Sequence, residues 1–445
     1  IMQSGANNVD FRVANTYRFR LDANSRISLS NNDTSATGGT NSTSGNTIFG
    51  YLAGDGLDGT SNAGYDNVLI GHNAGAAVTT ADFNVYIGMG AGGQNPSGGS
   101  NIAIGRNAMF GADGGESSNV VIGNAASASV NSATWADNVI IGDGAGTGGA
   151  AAMIGCIAIG KDALDATSNN PHTGTIAIGH QALTACTTGN ANTVIGYQAG
   201  DAILTGIRNT ILGYQAGTNM GNAEASNVAV GYLAMGAVDE GGSGGDADGN
   251  IAIGEDALYG GDFSTNNRQL LGNVAIGYQA LDGTAANEHE GTIAIGYQAL
   301  TGVVTGAGNT TVGYKSLNLL TSGAQNTIMG YEAGKEIRSG SSNNTAFGYA
   351  ALGQTGSSVA GDANTCIGSL SGRNIGTGGA AENNTLVGYH SGNAITTGDY
   401  NTAVGSLALD ATDDGANNVA IGYLALSANC CLLYTSDAAD DLLCV

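Results

Sequence analysis

The nine residues 192–200, Asn-Thr-Val-Ile-Gly-Tyr-Gln-Ala-Gly, return with small changes along most of the chain, for example at residues 273–281. The shared pattern is Asn, then Thr, Val or Ile, then any residue, then an apolar residue and Gly, with Ala or Ser three places later. Twenty-one copies lie between residues 46 and 425, and their Gly residues are most often 17 and at most 23 residues apart. A fixed period of this length marks stacked structural units, so the pattern predicts a solenoid.

Each copy is predicted to form a short strand. The residue after Asn is β-branched in every copy, which favours a strand over a helix. Both faces of the strand are largely apolar, so both must be covered. An apolar residue seven places after the Gly can cover one face from the opposite wall of the coil, whereas the other face needs a partner chain. A second Gly ten places after the first indicates another turn, and we expect two short strands per coil.

The Asn and Gly residues of the pattern are interpreted as structural. Asn opens 18 of the 21 copies, and the amides of successive coils can hydrogen-bond along the stack. Ala or Ser three places after each Gly indicates a tight contact between walls. The predicted ladders are represented by Asn192, Asn209, Asn273, Gly196, Gly213 and Gly277.

The repeats occupy one part of the chain. Residues 1–30 alternate apolar and polar residues as half-buried strands do, and they are predicted to form a small N-terminal β segment that caps the array. Residues 31–45, rich in Asn, Ser, Thr and Gly, are predicted to be a linker. Residues 46–430 form the repeat array. Residues 431–445 resemble the translation of a sequencing adaptor and are interpreted as an artefact.

Composition narrows the function. With 12 Lys and Arg against 36 Asp and Glu, the net charge is −24, so we expect no nucleic-acid partner. The sequence has no stretch of 18 apolar residues, so we expect no membrane insertion of this segment. The five His residues never approach metal-ligand spacing, and no catalytic set stands out. We therefore expect neither an enzyme nor a cofactor.

One weak metal candidate remains. Residues 241–246 match the start of a calcium-binding nonapeptide, and the carboxylates concerned are Asp246 and Asp248. Such a site needs consecutive copies, because ligands from adjacent turns enclose the ion. There is only one copy, so an ordinary acidic loop is the simpler interpretation.

The place after the Gly is variable and holds Tyr in 11 copies. These Tyr residues could stack to stabilise neighbouring coils or a contact between chains, or they could form a sugar-stacking surface. The candidate ligand contacts are Tyr197, Tyr214, Tyr278, Tyr297 and the lone Trp135. In addition, Thr follows the Asn position in nine copies, which raises ice binding as a further hypothesis.

The copies at residues 192–200 and 273–281 resemble the head repeats of trimeric autotransporter adhesins of the YadA-like type, and also repeats in bacteriophage tail-fibre and other virion proteins. The resemblance covers about 380 residues, and the Gly-Tyr pairing is more similar to the phage group. It implies an all-β fold, a parallel β-solenoid (β-roll) of about 21 short coils assembled as a homotrimer.

The function implied by the resemblance is a non-enzymatic fibre segment of a virion tail fibre, an extracellular spacer that attaches to a host cell-surface glycan or protein. The alternative is the head of an adhesin on the bacterial outer surface. An ice-binding β-solenoid is a less favoured alternative.

Overall fold

The computed structural model describes the backbone of residues 2–3, 9–13 and 16–21 and, in full, residues 45–57, 64–148, 151–167, 170–221, 223–238, 246–260, 269–284, 289–302, 305–353, 361–411 and 414–427. These residues contain β-strands and turns but no α-helix. The chain divides into two compact units, Ile1–Ala225 and Ser226–Val445. Most of the predicted linker and all of residues 431–445 lie outside the described residues.

The N-terminal unit starts with a small antiparallel sheet, in the order β1 (Met2–Gln3), β2 (Val9–Val13) and β3 (Thr16–Leu21). This sheet agrees with the strands expected in residues 1–30. It differs from the rest of the unit, in which the strands pair in parallel.

The repeats of the N-terminal unit each supply one three-residue strand, and these strands pair in parallel with their equivalent residues in register. Two additional strands, of two residues each, form a separate parallel pair, β10 with β12. The strands are β4 (Thr47–Phe49), β5 (Val68–Ile70), β6 (Val85–Ile87), β7 (Ile102–Ile104), β8 (Val120–Ile122), β9 (Val139–Ile141), β10 (Met153–Ile154), β11 (Ile157–Ile159), β12 (His172–Thr173), β13 (Ile176–Ile178), β14 (Thr193–Ile195) and β15 (Thr210–Leu212).

The C-terminal unit is built in the same way, with one three-residue strand per repeat and a two-residue pair, β18 with β20. Its strands are β16 (Val228–Val230), β17 (Ile251–Ile253), β18 (Leu270–Leu271), β19 (Val274–Ile276), β20 (His289–Glu290), β21 (Ile293–Ile295), β22 (Thr310–Val312), β23 (Thr327–Met329), β24 (Thr345–Phe347), β25 (Thr365–Ile367), β26 (Thr385–Val387), β27 (Thr402–Val404) and β28 (Val419–Ile421). The predicted parallel β-solenoid is confirmed.

The backbone on either side of each strand explains why the strands are so short. The residue before the Asn is left-handed, as at Arg208 with φ 58°, and the anchor Gly that ends the strand has φ near 140°, as at Gly196 with φ 147°. That second conformation is open only to glycine. A Cβ added at Gly196 would also overlap the carbonyl oxygen of Gly213 in the next coil. Extended backbone is therefore confined to the β-branched and apolar residues between these two points.

The core lies inside each coil. The middle residue of every three-residue strand points inward and is buried, as are Val194 in β14 and Ile328 in β23. The apolar residue seven places after the Gly faces it from the opposite wall, as Ile203 and Ile337 do.

The expectation of two strands in every coil is wrong: among the described residues a second strand occurs in the coils that carry β10, β12, β18 and β20, where it comes shortly before the three-residue strand. The wall opposite each three-residue strand is made of turns, because residues two and four places after the Gly, such as Gln198 and Gly200, take left-handed conformations that interrupt extended backbone.

Candidate functional site

The asparagines lie in a buried hydrogen-bonded ladder. Asn209 donates its backbone N–H to Asn192 Oδ1 at 2.9 Å, and Asn192 Nδ2 donates to the Gly206 carbonyl at 2.8 Å. Asn273 donates both its backbone N–H and its Nδ2 to Asn250 Oδ1, each at 3.0 Å. Because these amides are buried and bonded to one another, they hold the coils together and have no surface from which to contact a ligand.

The ladder breaks where Asn is replaced, and two buried histidines lie at the breaks. His172 and His289 each precede a substituted ladder position, Thr175 and Thr292, by three residues. In the N-terminal unit, His172 Nδ1 and Thr175 Oγ1 both face the Gly189 carbonyl, at 3.2 and 3.3 Å, in the place an Asn amide would occupy. Burial lowers the pKa of both histidines, that of His289 to about 4. The sequence pattern His-x-Gly-Thr could have revealed this replacement.

The outward face of the strands is uncharged, largely apolar and partly exposed. In each three-residue strand the first and third residues point away from the core, as Ile102 and Ile104 do in β7, and none of these three-residue strands carries a charged residue at either place. Some are exposed by more than a third, such as Ile367 at 40%. We call this surface the outward strand face.

Threonine is concentrated in one part of the outward strand face. The first residues of six consecutive strands, β22–β27, are Thr310, Thr327, Thr345, Thr365, Thr385 and Thr402, paired in register. The third residues beside them include the much larger Met329 and Phe347. An ice-binding surface needs a flat, uniform grid, so this mixed neighbouring column argues against ice binding.

The tyrosines after the anchor glycines stack on one another. In the C-terminal unit five consecutive coils place their rings in one column, with centroid separations of 5.0, 5.2, 4.9 and 5.7 Å and interplanar angles of 12–18°. The exposed fraction of these residues ranges from 36 to 52%. We call this column the tyrosine ladder; it consists of Tyr278, Tyr297, Tyr314, Tyr331 and Tyr349.

The ladder has defined ends and a polar neighbour. The same column holds Glu255 in the coil before it and Ser369 in the coil after it, so the stack covers five coils. Alongside it, Gln298 Nε2 donates to Gln279 Oε1 at 2.9 Å, and Lys315 Nζ lies 5.4 Å from the Tyr314 ring centroid. Partial desolvation, then the nearby Glu255 carboxylate, raises the pKa of Tyr278, so its phenol stays protonated at neutral pH.

The equivalent column of the N-terminal unit is mixed. His180, Tyr197 and Tyr214 stack at 5.3 and 5.1 Å. Earlier coils carry polar residues instead: Arg106 Nε donates to Asn124 Oδ1 at 2.9 Å, and Asn124 Nδ2 donates to Asp143 Oδ1 at 2.6 Å. Neighbouring coils can therefore pair aromatic or polar side chains in this column.

Stacking determines which part of each ring a ligand could reach. Rings about 5 Å apart and nearly parallel cover one another's faces, so a sugar ring cannot lie on Tyr297, which has a stacked neighbour on both sides. Only the outer edges, with the phenol hydroxyls, face solvent. The expected sugar-stacking mode does not fit this geometry, although contact through the hydroxyl edges does.

Trp135 was expected as a ligand contact, and this prediction is wrong. Its side chain is only 1% exposed and its carbonyl accepts from Asn119 Nδ2 at 3.1 Å, so it is part of the packing between coils. Asp246 and Asp248 have their carbonyls bonded to the N–H groups of Leu270 and Gly272. Residues 241–245 lie outside the described residues, and the described part of the chain has no group of three His, Cys, Asp or Glu able to hold a metal.

No family model and no curated protein matches this chain. Among the described residues no helix has the length and hydropathy of a membrane span. The candidate functional surfaces are the outward strand face and the column of residues after the anchor glycines, because both carry exposed side chains that recur from coil to coil.

Proposed function

We propose that the chain is a non-enzymatic fibre segment of a virion, of the phage tail-fibre type, which assembles as a homotrimer, acts as a stiff extracellular spacer and attaches to a host surface. The outward strand face is the observation that carries this proposal. This face needs to be covered by a partner with an equally long, uncharged surface. A second and a third copy of the same chain have such a surface.

The size of the face supports self-association. In the C-terminal unit, two outward side chains from each of eleven strands, at about a third of their area, expose on the order of 1,000 Å². A stable complex buries roughly 800 Å² per partner. The N-terminal unit offers ten further strands of the same kind.

The chemistry of the face supports it as well. A chain with 36 acidic residues has none at the outward positions of its three-residue strands, and interface centres are depleted of charge in the same way. Apolar surface of this size on a free monomer would promote aggregation. Closed association of identical copies covers the face without leaving it open to further chains. The number three and the virion location come from the resemblance to adhesin heads and phage fibres.

The mass in solution tests the assembly. We expect light scattering to give three times the chain mass of 43.8 kDa. Ile276→Glu with Ile295→Glu, on the outward strand face, should release monomers that retain β-sheet circular dichroism. The matched control is Gln279→Glu with Gln298→Glu, which adds the same charge in the same coils and should stay trimeric. A monomer mass for the unmodified chain, or dissociation of the control, would contradict the proposal.

The head of a bacterial adhesin is the alternative class of protein that would have the same architecture. The gene sequence downstream distinguishes the two: a heptad stalk followed by a four-strand membrane anchor would identify an adhesin and remove the virion assignment.

A further inference from the structure

We propose that the tyrosine ladder of the C-terminal unit binds an extended, neutral polysaccharide that runs along it, with successive sugar units hydrogen-bonded to successive phenol hydroxyls. This inference rests on the proposed role in host attachment and specifies the class of receptor. Its ligand-binding groups are Tyr278, Tyr297, Tyr314, Tyr331 and Tyr349.

The spacing selects the kind of ligand. The ring centroids are 4.9–5.7 Å apart over five coils, and the rise per unit of an extended β-1,4-linked pyranose chain is close to this distance. A peptide strand rises about 3.3 Å per residue, so neither successive nor alternate residues stay in step with the ladder. A polysaccharide can thus place one sugar unit at every rung, with the two edges of the sugar facing the ladder in alternate units and each edge carrying hydroxyl groups, and a peptide cannot.

The exposed atoms select the mode of contact. Because the ring faces are covered by neighbouring rings, a ligand meets the phenol edges. Within the described residues none of the five hydroxyls has a hydrogen bond to the protein, and each can donate one bond and accept others. Sugar hydroxyls have the same dual character. Stacking also restrains the ring rotamers, which reduces the entropy lost on binding.

The charge around the ladder selects a neutral chain. Glu255 lies at one end of it and Glu332 beside it, in a molecule with net charge −24. Among the described residues, two positive groups lie near the ladder: Lys315 at the Tyr314 ring, and Lys335, whose Nζ pairs with Glu332 Oε1 at 2.9 Å, so that these two charges offset each other. At the Tyr278 end, the carboxylates of Glu255, Asp256 and Asp282 all act on Tyr278 and keep the local charge negative. A polysaccharide with a carboxylate or sulfate on each unit would be repelled, whereas a neutral one would not.

Several weak contacts in series would make binding depend on chain length. One phenol hydrogen bond contributes little, but contacts on a single linked chain reinforce one another. We therefore expect the hexasaccharide of the recognised sugar to bind at least about tenfold more tightly than its disaccharide.

Calorimetry with the full-length chain tests the assignment. The probes are β-1,4-linked hexasaccharides of glucose, mannose, xylose and N-acetylglucosamine, with the matching disaccharides. The variant Tyr297→Phe with Tyr314→Phe and Tyr331→Phe keeps the stacked rings and removes three hydroxyls. At about fivefold per hydroxyl, it should lose roughly a hundredfold in affinity. The control is Tyr389→Phe, in the same column but between Ser369 and Ser406, which should bind as the unmodified chain does.

Three results would overturn the assignment: no hexasaccharide of the four binds, the triple Phe variant binds normally, or Tyr389→Phe loses as much affinity as the triple variant. The mass of the same samples is measured in parallel. If the protein is a trimer and binds none of the four probes, the tyrosine ladder is not a glycan site and the fibre proposal stands. If it is a monomer and binds a probe, only the proposed trimer is contradicted.

Discussion

The anchor glycines and the residues that follow them form adjacent columns, yet the two columns obey opposite rules. Every repeat has Gly in the first column, whereas the second holds Tyr, His, Met, Arg, Asn, Asp, Lys, Glu or Ser. In the first, the backbones of successive coils are in contact and the φ near 140° admits no side chain. In the second, side chains reach solvent, and aromatic or polar neighbours in successive coils can pair. Of these two columns, stacking therefore constrains only the one in which backbones meet.

Substituting an anchor glycine should have the largest effect on stability. At Gly313, with φ 144°, an added Cβ would overlap the Gly330 carbonyl oxygen, so Gly313→Ala should lower the free energy of unfolding by roughly 4 kcal/mol. The control is Gly291→Asn: φ is 60°, no atom lies within 4 Å of an added Cβ, and Asn already occupies this place in other coils, as at Asn343. Chemical denaturation measures both. Equal losses would show that the backbone contact is not the cause.

Removing a side-chain amide from the buried asparagine ladder should have the next largest effect on the free energy of unfolding. Asn326 donates to Asn309 Oδ1 and to the Ser341 carbonyl, and it accepts from Asn344. Asn326→Ala leaves buried groups without partners, which costs roughly 3 kcal/mol. Asn418→Ala, at the partly buried end of the asparagine ladder, removes only the Nδ2 bond to Asn401 Oδ1, because the backbone N–H of residue 418 still donates to the same oxygen, and should cost about 1 kcal/mol. Similar denaturation midpoints for the two variants would contradict a ladder whose strength lies in its buried interior.

The free energy of unfolding should depend on pH because of His289, which lies where Thr292 interrupts the asparagine ladder. Burial lowers the pKa of His289 from 6.5 to about 4, so between these values the unfolded chain binds a proton that the folded chain excludes. The contribution of neutral His289 is complete above pH 6.5 and is lost as the pH falls towards 4, an effect of roughly 2–3 kcal/mol.

His289→Leu tests this, since Leu270 occupies the paired position in β18. Denaturation midpoints measured from pH 7 to pH 4 should fall less steeply in the variant than in the unmodified chain. Parallel curves for the two proteins would show that His289 does not cause the dependence.

The exposed column should tolerate change best. Tyr331→Ser removes two ring contacts from the tyrosine ladder and should cost about 1 kcal/mol, because half-exposed stacking is weak. Arg106→Ser removes one exposed hydrogen bond to Asn124 and should cost less than about 0.5 kcal/mol. A Tyr331 effect as large as that of Gly313→Ala would mean that this column carries the fold as well.

Much of the fold followed from the repeat because its constraints are local. Three positions of the repeat carry these constraints: the β-branched residue after Asn, the anchor Gly and the small residue three places later. Each reflects backbone geometry or the contact with the next coil, and backbone geometry and that contact recur in every repeat. The opposite wall was harder to predict. Left-handed conformations at residues such as Gln198 and Leu183 turn it into a run of turns, and these residue types give no hint of that backbone.

The candidate site was predictable in identity but not in geometry. The sequence placed Tyr278 and Tyr297 in one column, yet Trp135, which looked like a loop residue, is buried between coils. The stacking angle of the tyrosines depends on how adjacent coils hold the rings, and that angle leaves edges, not faces, for a ligand.

By itself the sequence determined the parallel stack, its register and its buried columns, since each follows from a pattern repeated at a fixed spacing. Tertiary structure decided which residues face outward, how the tyrosines lie on one another and where Trp135 packs. The physical reason is that a repeat fixes the contacts each coil makes with its neighbours, whereas the exposure of a side chain depends on the path of the whole coil around it.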